Sequence, residues 1–177
     1  MNSATQKVGE CSCNSPGVAA PLEAAEPRSQ NPQDLIPFIL DRYHATHRRE
    51  LPELQRLARK VETVHAERPE CPRGLSQLLT SMEAELGAHM QKEEEVLFPL
   101  LLASGGGCAP FAIRRMRAEH DDHELLLAEL KRLTGGFTPP PDACGSWRRL
   151  AIGCAKLSAD LEAHIALENE ILFPQFE

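Results

Sequence analysis

The sequence predicts an all-α protein, an up-down-up-down four-helix bundle preceded by a flexible N-terminal tail. Three observations carry that prediction. Apolar residues recur at helical spacing through most of the chain, and strand signals such as alternating β-branched runs or Asn-Gly and Asp-Gly hairpin turns are absent. The text is also written twice: "HMQKEEEVLFP" at 89–99 returns as "HIALENEILFP" at 164–174, and "HATHRRELPEL" from His44 returns as "HDDHELLLAEL" from His120. A repeat of this kind marks a duplicated supersecondary unit, and two helix pairs make four helices.

Residues 1–32 are rich in Pro, Ala, Ser, Asn and Glu, carry no helical or strand period, and read as a tail whose one distinctive feature is Cys11-Ser-Cys13. Residues 33–177 form the bundle. The first helix starts near Asp34, where Leu35, Ile36, Ile39, Leu40, Leu51, Leu54, Leu57, Val61 and Val64 make one apolar stripe. Pro52 is a potential kink in it, and "ERPECPRG" (67–74) ends it. A second helix spans about Leu75 to Phe98 with Pro99 as its stop. "SGGGCAP" (104–110) is a loop, the third helix runs on to about Leu133, and "GGFTPPPD" (135–142) is another loop. Asp142 is the expected N-cap of the fourth helix, which ends before Pro174.

Composition excludes several functions. The chain has 177 residues, 42% apolar and 25% charged, enough for one domain with a substantial core. A net charge of −7 without a basic stripe argues against nucleic acid as a partner. No apolar run spans a membrane, and the first residues lack the layout of a signal peptide, so the expectation is a cytoplasmic protein. Six scattered cysteines are read as mostly reduced thiols.

Geometry gives the repeat a purpose. His89 and His164 each stand 10 residues before a proline, and His44 and His120 stand 10 residues after the approximate starts of their helices. Because alternate helices run in opposite directions, all four lie at one level, about 15 Å from the same end of the bundle. Glu93 and Glu168, four residues beyond His89 and His164, share the faces of those histidines. Imidazoles and carboxylates converging inside a bundle are costly unless they neutralise something. A pair of metal ions is the natural occupant, and bridging carboxylates favour a di-iron centre with ligands His44, His89, Glu93, His120, His164 and Glu168.

Other polar residues have competing readings. Glu94 and Glu95 read as solvated surface charges. His47 and His123, three residues past a proposed ligand, either approach the metals or lie on the next face, with His123 the better candidate. Asp121 is a candidate to hold an imidazole N–H, and a plain surface role fits it at least as well. Tyr43 reads as core. Rival metal motifs fail: only Glu62-x-x-His65 fits the ferritin-like pair, no His-Glu-x-x-His exists, and Cys11-x-Cys13 lacks a second pair.

Together, "RYHATHRRELPEL", "KVETVH", "HMQKEEEVLFP", "MRAEHD" and "HIALENEILFP" resemble the hemerythrin-like di-iron proteins of the repair-of-iron-centres family over about residues 34–177. The resemblance implies a non-haem di-iron four-helix bundle with bridging glutamates, and it places ligands at the same six residues. It further implies a stress-response role in restoring iron–sulfur clusters damaged by nitric oxide or peroxide, with iron–sulfur proteins as clients. His65 matches a family position sometimes given to iron. Yet it lies 21 residues past His44, about 31 Å along a continuous helix, at the opposite end of the bundle. Family members often carry a longer N-terminal domain with adjacent cysteines, where this chain has only Cys11-Ser-Cys13. The expected function is iron supply for cluster repair, an iron-donating or gas-binding role rather than that of a turnover enzyme. The alternatives are binding of nitric oxide or dioxygen as scavenger or sensor, nitric oxide reduction with Cys11 and Cys13 meeting an electron donor, and a purely structural bundle.

Overall fold

The computed structural model describes residue 27, residues 29–103 and residues 109–177. Residues 1–26 and 28 of the predicted tail, Cys11 and Cys13 included, and residues 104–108 of the predicted glycine-rich loop lie outside the described residues. Every regular element among the described residues is helical.

Helix α1 (Pro32–Ile39) starts two residues before the predicted Asp34, because the Asn31 side chain accepts from the Gln33 N–H at 3.0 Å and Pro32 occupies the first turn. A π-helical turn, Leu40–His44, joins it to α2 (Ala45–Val64), which continues through Pro52. Gly74, at φ 89°, makes the left-handed turn into α3 (Leu75–Lys92). A second π turn, Glu93–Leu97, leads to α4 (Phe98–Leu102).

The chain therefore does not stop at Pro99, as the sequence suggested. The Phe98 N–H reaches back five residues to the Glu93 carbonyl, and this wider turn puts Pro99 at the start of a new helical segment, where its missing N–H costs little. Helix α5 is Ala109–Leu133 and α6 is Gly145–Ala166. A third π turn (Leu167–Leu172) and a 3-10 turn (Phe173–Phe176) carrying Pro174 close the chain.

Asp142 is not the cap of α6. Cys144 stands at that position, while both carboxylate oxygens of Asp142 accept from Arg68 at 2.9 and 3.0 Å. A carboxylate offered a bidentate guanidinium has a stronger partner than a helix N–H.

Side-chain pairs fix how the helices run. Going up α2, His44, Gln55 and Glu62 meet Glu94, Glu83 and Ser76 in turn, so α3 descends alongside. Arg42, Glu50 and His65 likewise meet Asp160, Lys156 and Cys144, so α6 also runs opposite to α2. Helix α5 packs against α3 and α6.

The core is split into two apolar clusters. The larger includes Leu51, Leu57, Leu79, Met82, Leu86, Leu130, Leu150 and Leu157, and the smaller includes Leu35, Ile39, Leu97, Phe98, Ile113, Leu172 and Phe173. The proposed ligands lie where the two clusters meet, so that layer has apolar walls on both sides. No described helix is long and apolar enough to cross a membrane.

Candidate metal centre

The structure brings all six sequence-predicted residues together. His44, His89, Glu93, His120, His164 and Glu168 are each 2% exposed or less. Their donor atoms form two groups of four, His44–Glu93–His164–Glu168 and His89–Glu93–His120–Glu168, with all atoms of a group within 4.8 Å of one another. Glu93 and Glu168 belong to both.

Individual oxygens show how the sharing works. Glu93 turns Oε2 to His44 Nε2 and Oε1 to His89 Nε2, both at 3.3 Å. Glu168 turns Oε1 to His164 Nε2 at 3.3 Å and Oε2 to His120 Nε2 at 3.2 Å. His89 and His120 point their Nε2 atoms at each other, 3.1 Å apart. Each carboxylate thus spans the two groups with one oxygen apiece, the arrangement of a bridging ligand.

Three of the imidazoles are oriented from outside. His44 Nδ1 meets Glu94 Oε1 at 2.8 Å, His89 Nδ1 meets Glu119 Oε2 at 3.0 Å, and His120 Nδ1 meets Asn169 Oδ1 at 3.0 Å. Each partner is an acceptor, so Nδ1 donates to it and Nε2 is the nitrogen left facing the centre. His164 is held by packing: the Tyr43 ring stacks on it at 5.0 Å and 6°.

These partners correct the sequence reading. Glu94 is half-buried and accepts from both His44 and Arg48, so it is not a free surface charge, whereas Glu95 is exposed as expected. Asp121 is exposed, and the residue that holds an imidazole is Glu119, on the other side of His120. Glu119 and Asn169 were missed because each contact joins residues 30 or more positions apart. The one available signal was that both neighbour a proposed ligand in sequence.

Three π turns coincide with the site. His44 ends the first, Glu93 begins the second and Glu168 lies in the third. Such turns insert one residue into a helix and cluster at functional sites. The repeated text explains why the second and third match: the same sequence folds the same way twice.

His47 and His123 lie beside the centre without joining either donor group. His47 is 1% exposed, 5.7 Å from the His164 ring, and His123 is 3% exposed, 4.8 Å from the His89 ring. Burial, reinforced by His164, pushes His47 down to about 3, and burial with His89 pushes His123 down to about 4. Both are held neutral. His65 is at the other end of the bundle, against Cys144 and Trp147.

The electrostatics of the cluster are those of a charge-neutralising site. Burial opposes charge on His89, but the Glu93 carboxylate, with Glu119, outweighs it and lifts the imidazole to about 9. Burial opposes ionisation of Glu93 and Glu168, and Glu168 adds repulsion at Glu93, yet the facing histidines, 3.2 to 3.3 Å away, hold both below the ordinary carboxylate range.

A metal fits this donor set. His44 Nε2, His164 Nε2 and all four carboxylate oxygens of Glu93 and Glu168 are buried without a hydrogen-bond partner. Buried polar atoms are nearly always satisfied, so six orphans aimed at one volume require a ligand there. Imidazole nitrogen with carboxylate oxygen suits borderline divalent ions, iron among them.

Comparison with known proteins agrees. The Hemerythrin HHE cation binding domain family matches residues 36–176. The chain is 45% identical over 148 residues to the iron-sulfur cluster repair protein YtfE of Escherichia coli O157:H7, covering 84% of this chain and 67% of that protein. It is 44% identical over 161 residues to the YtfE of Musicola paradisiaca, covering 88% and 72%. The chain belongs to the hemerythrin HHE cation-binding family, among the relatives of the iron–sulfur cluster repair proteins.

Proposed function

We propose that the chain is a non-haem di-iron protein that supplies iron in the cytoplasm for repair of iron–sulfur clusters damaged by nitrosative or oxidative stress. One observation carries the reading: two four-donor groups share Glu93 and Glu168 and leave six buried polar atoms without partners. On this reading residues 33–177 are the iron-holding domain. His44 and His164 hold one ion, His89 and His120 hold the other, and the two glutamates bridge them. The cluster-repair names of the relatives support iron–sulfur proteins as clients.

Iron here is cargo, and the pocket has a way to let it go. The histidines and glutamates lie 3.2 to 3.3 Å apart, and His89 is raised to about 9, so protons shared between them can take over the neutralising role of the departing ions. The emptied site keeps its shape because Glu94, Glu119 and Asn169 hold the imidazoles independently of metal. Release and reloading then proceed without unfolding the bundle.

The test is transfer of isotopically labelled iron from the loaded protein to a nitric oxide-damaged iron–sulfur enzyme. Label in the client and recovery of its activity beyond that given by an equal amount of free iron are expected. Recovery equal to free iron would sink the proposal.

Binding of nitric oxide or dioxygen is the second reading, and the donor count favours it. Four protein donors per group leave room at each ion for a small ligand. A stable, spectroscopically distinct adduct with no loss of iron is its signature. Reduction of nitric oxide would further require an electron donor.

A further inference from the structure

We propose that Cys144 and His65, at the end of the bundle remote from the metal centre, form a thiol–imidazole pair that undergoes exchange with low-molecular-weight disulfides. The Cys144 Sγ lies 3.2 Å from His65 Nε2, across 79 residues of sequence. Cys144 is exposed, whereas Cys71 and Cys154 are buried. It occupies the N-cap of α6, but its side chain makes no capping bond there and faces the imidazole. A nucleophile within hydrogen-bond reach of a base is the signature of an activated thiol.

The surroundings support exchange over metal binding. Among the described residues one thiol and one imidazole meet here. Asp142, two residues before the thiol, has both oxygens taken by Arg68. Among the described residues the groups able to hold a metal are those of the central site. The His65 ring is steadied by packing at 4.9 Å on Trp147, over which Arg68 lies at 5.4 Å. The opposite side of the pair's surroundings is apolar: Trp147 also lines a cavity of about 660 Å³ with Cys71, Arg73, Leu133 and Pro140, which neither Cys144 nor His65 enters.

The chemistry balances without a further reagent. His65 takes the proton of the Cys144 thiol as sulfur attacks one sulfur of the disulfide. The Cys144–sulfur bond forms as the disulfide bond breaks, and the departing thiolate receives the proton from the imidazole. One protein mixed disulfide and one small thiol result. The positive end of the α6 dipole favours the charge that develops on sulfur.

The full-length chain would be treated with oxidised glutathione, and adducts on each cysteine followed by peptide mass spectrometry against pH. Wild type, His65→Gln and Cys144→Ser would be compared, with thermal melts confirming folding. A Cys144 adduct is expected, formed in His65→Gln at least roughly tenfold more slowly at neutral pH. That is less than a positioned base can contribute, because hydroxide competes at an exposed thiol. The deficit should vanish at alkaline pH, where hydroxide removes the proton. Equal rates at neutral pH, a deficit that persists at alkaline pH, or no Cys144 adduct would overturn the proposal. The inference is independent of the iron reading, and Cys144→Ser should keep the iron content of the wild type.

Discussion

His89 turns Nε2 toward the centre because Glu119 accepts from its other nitrogen, and Lys92 and Arg115 hold Glu119 in turn at 2.7 and 2.8 Å. Although burial opposes its ionisation, Lys92 and His89 hold the Glu119 carboxylate down at about 2, so it stays an acceptor at any working pH. Glu119→Gln is expected to weaken metal affinity by about 10- to 100-fold while leaving the helical content unchanged, as chelator competition would measure. An unaltered affinity would mean that packing alone orients His89. His47 gives a pH prediction for the metal-free protein. Its native value is depressed to about 3, below the unfolded value, so the unfolded chain binds a proton first as pH falls. Stability contributed by neutral His47 is therefore full above about pH 6.5 and is lost on acidification, at up to about 1.4 kcal/mol per pH unit. His47→Gln should flatten the fall in urea midpoint between about pH 6.5 and 4. An identical pH profile in that variant would contradict the assignment. The six candidate residues that the fold gathers were legible in the sequence because they repeat at countable distances. Glu94 was not: "KEEE" carries no mark that its second glutamate meets a histidine 50 residues away.

The helices were legible from the apolar stripe, and their π turns were not. A π turn differs from an α turn by one residue in five or six, which leaves no period to detect. Proline was read as a stop at Pro99 because that is its usual effect within an α-helix, and the second π turn cancels it. The consequence is measurable. Proline costs about 3 kcal/mol in an ordinary helix interior. Here Pro99→Ala is expected to change unfolding free energy by less than about 1 kcal/mol in urea titration, since the wide turn already accommodates the ring. A gain near 3 kcal/mol would show that Pro99 strains a regular helix. The N-terminus of α6 was misassigned for a different reason: Asp142 is a good cap in isolation, and only the folded chain brings Arg68 to it.

For the molecule as a whole, the duplicated text places a polar layer between two apolar clusters and brings its candidate ligands in from all four sides. His65 is the informative contrast, a histidine the family resemblance offers to the metal and the fold carries to Cys144 instead. Iron per chain, measured by plasma mass spectrometry after expression with iron, tests the shared-carboxylate centre directly. Wild type and His65→Ala should each hold two irons, and Glu93→Ala combined with Glu168→Ala should lose most of both. Iron-free wild type, or a content that survives removal of both glutamates, would contradict a bridged di-iron centre at this site.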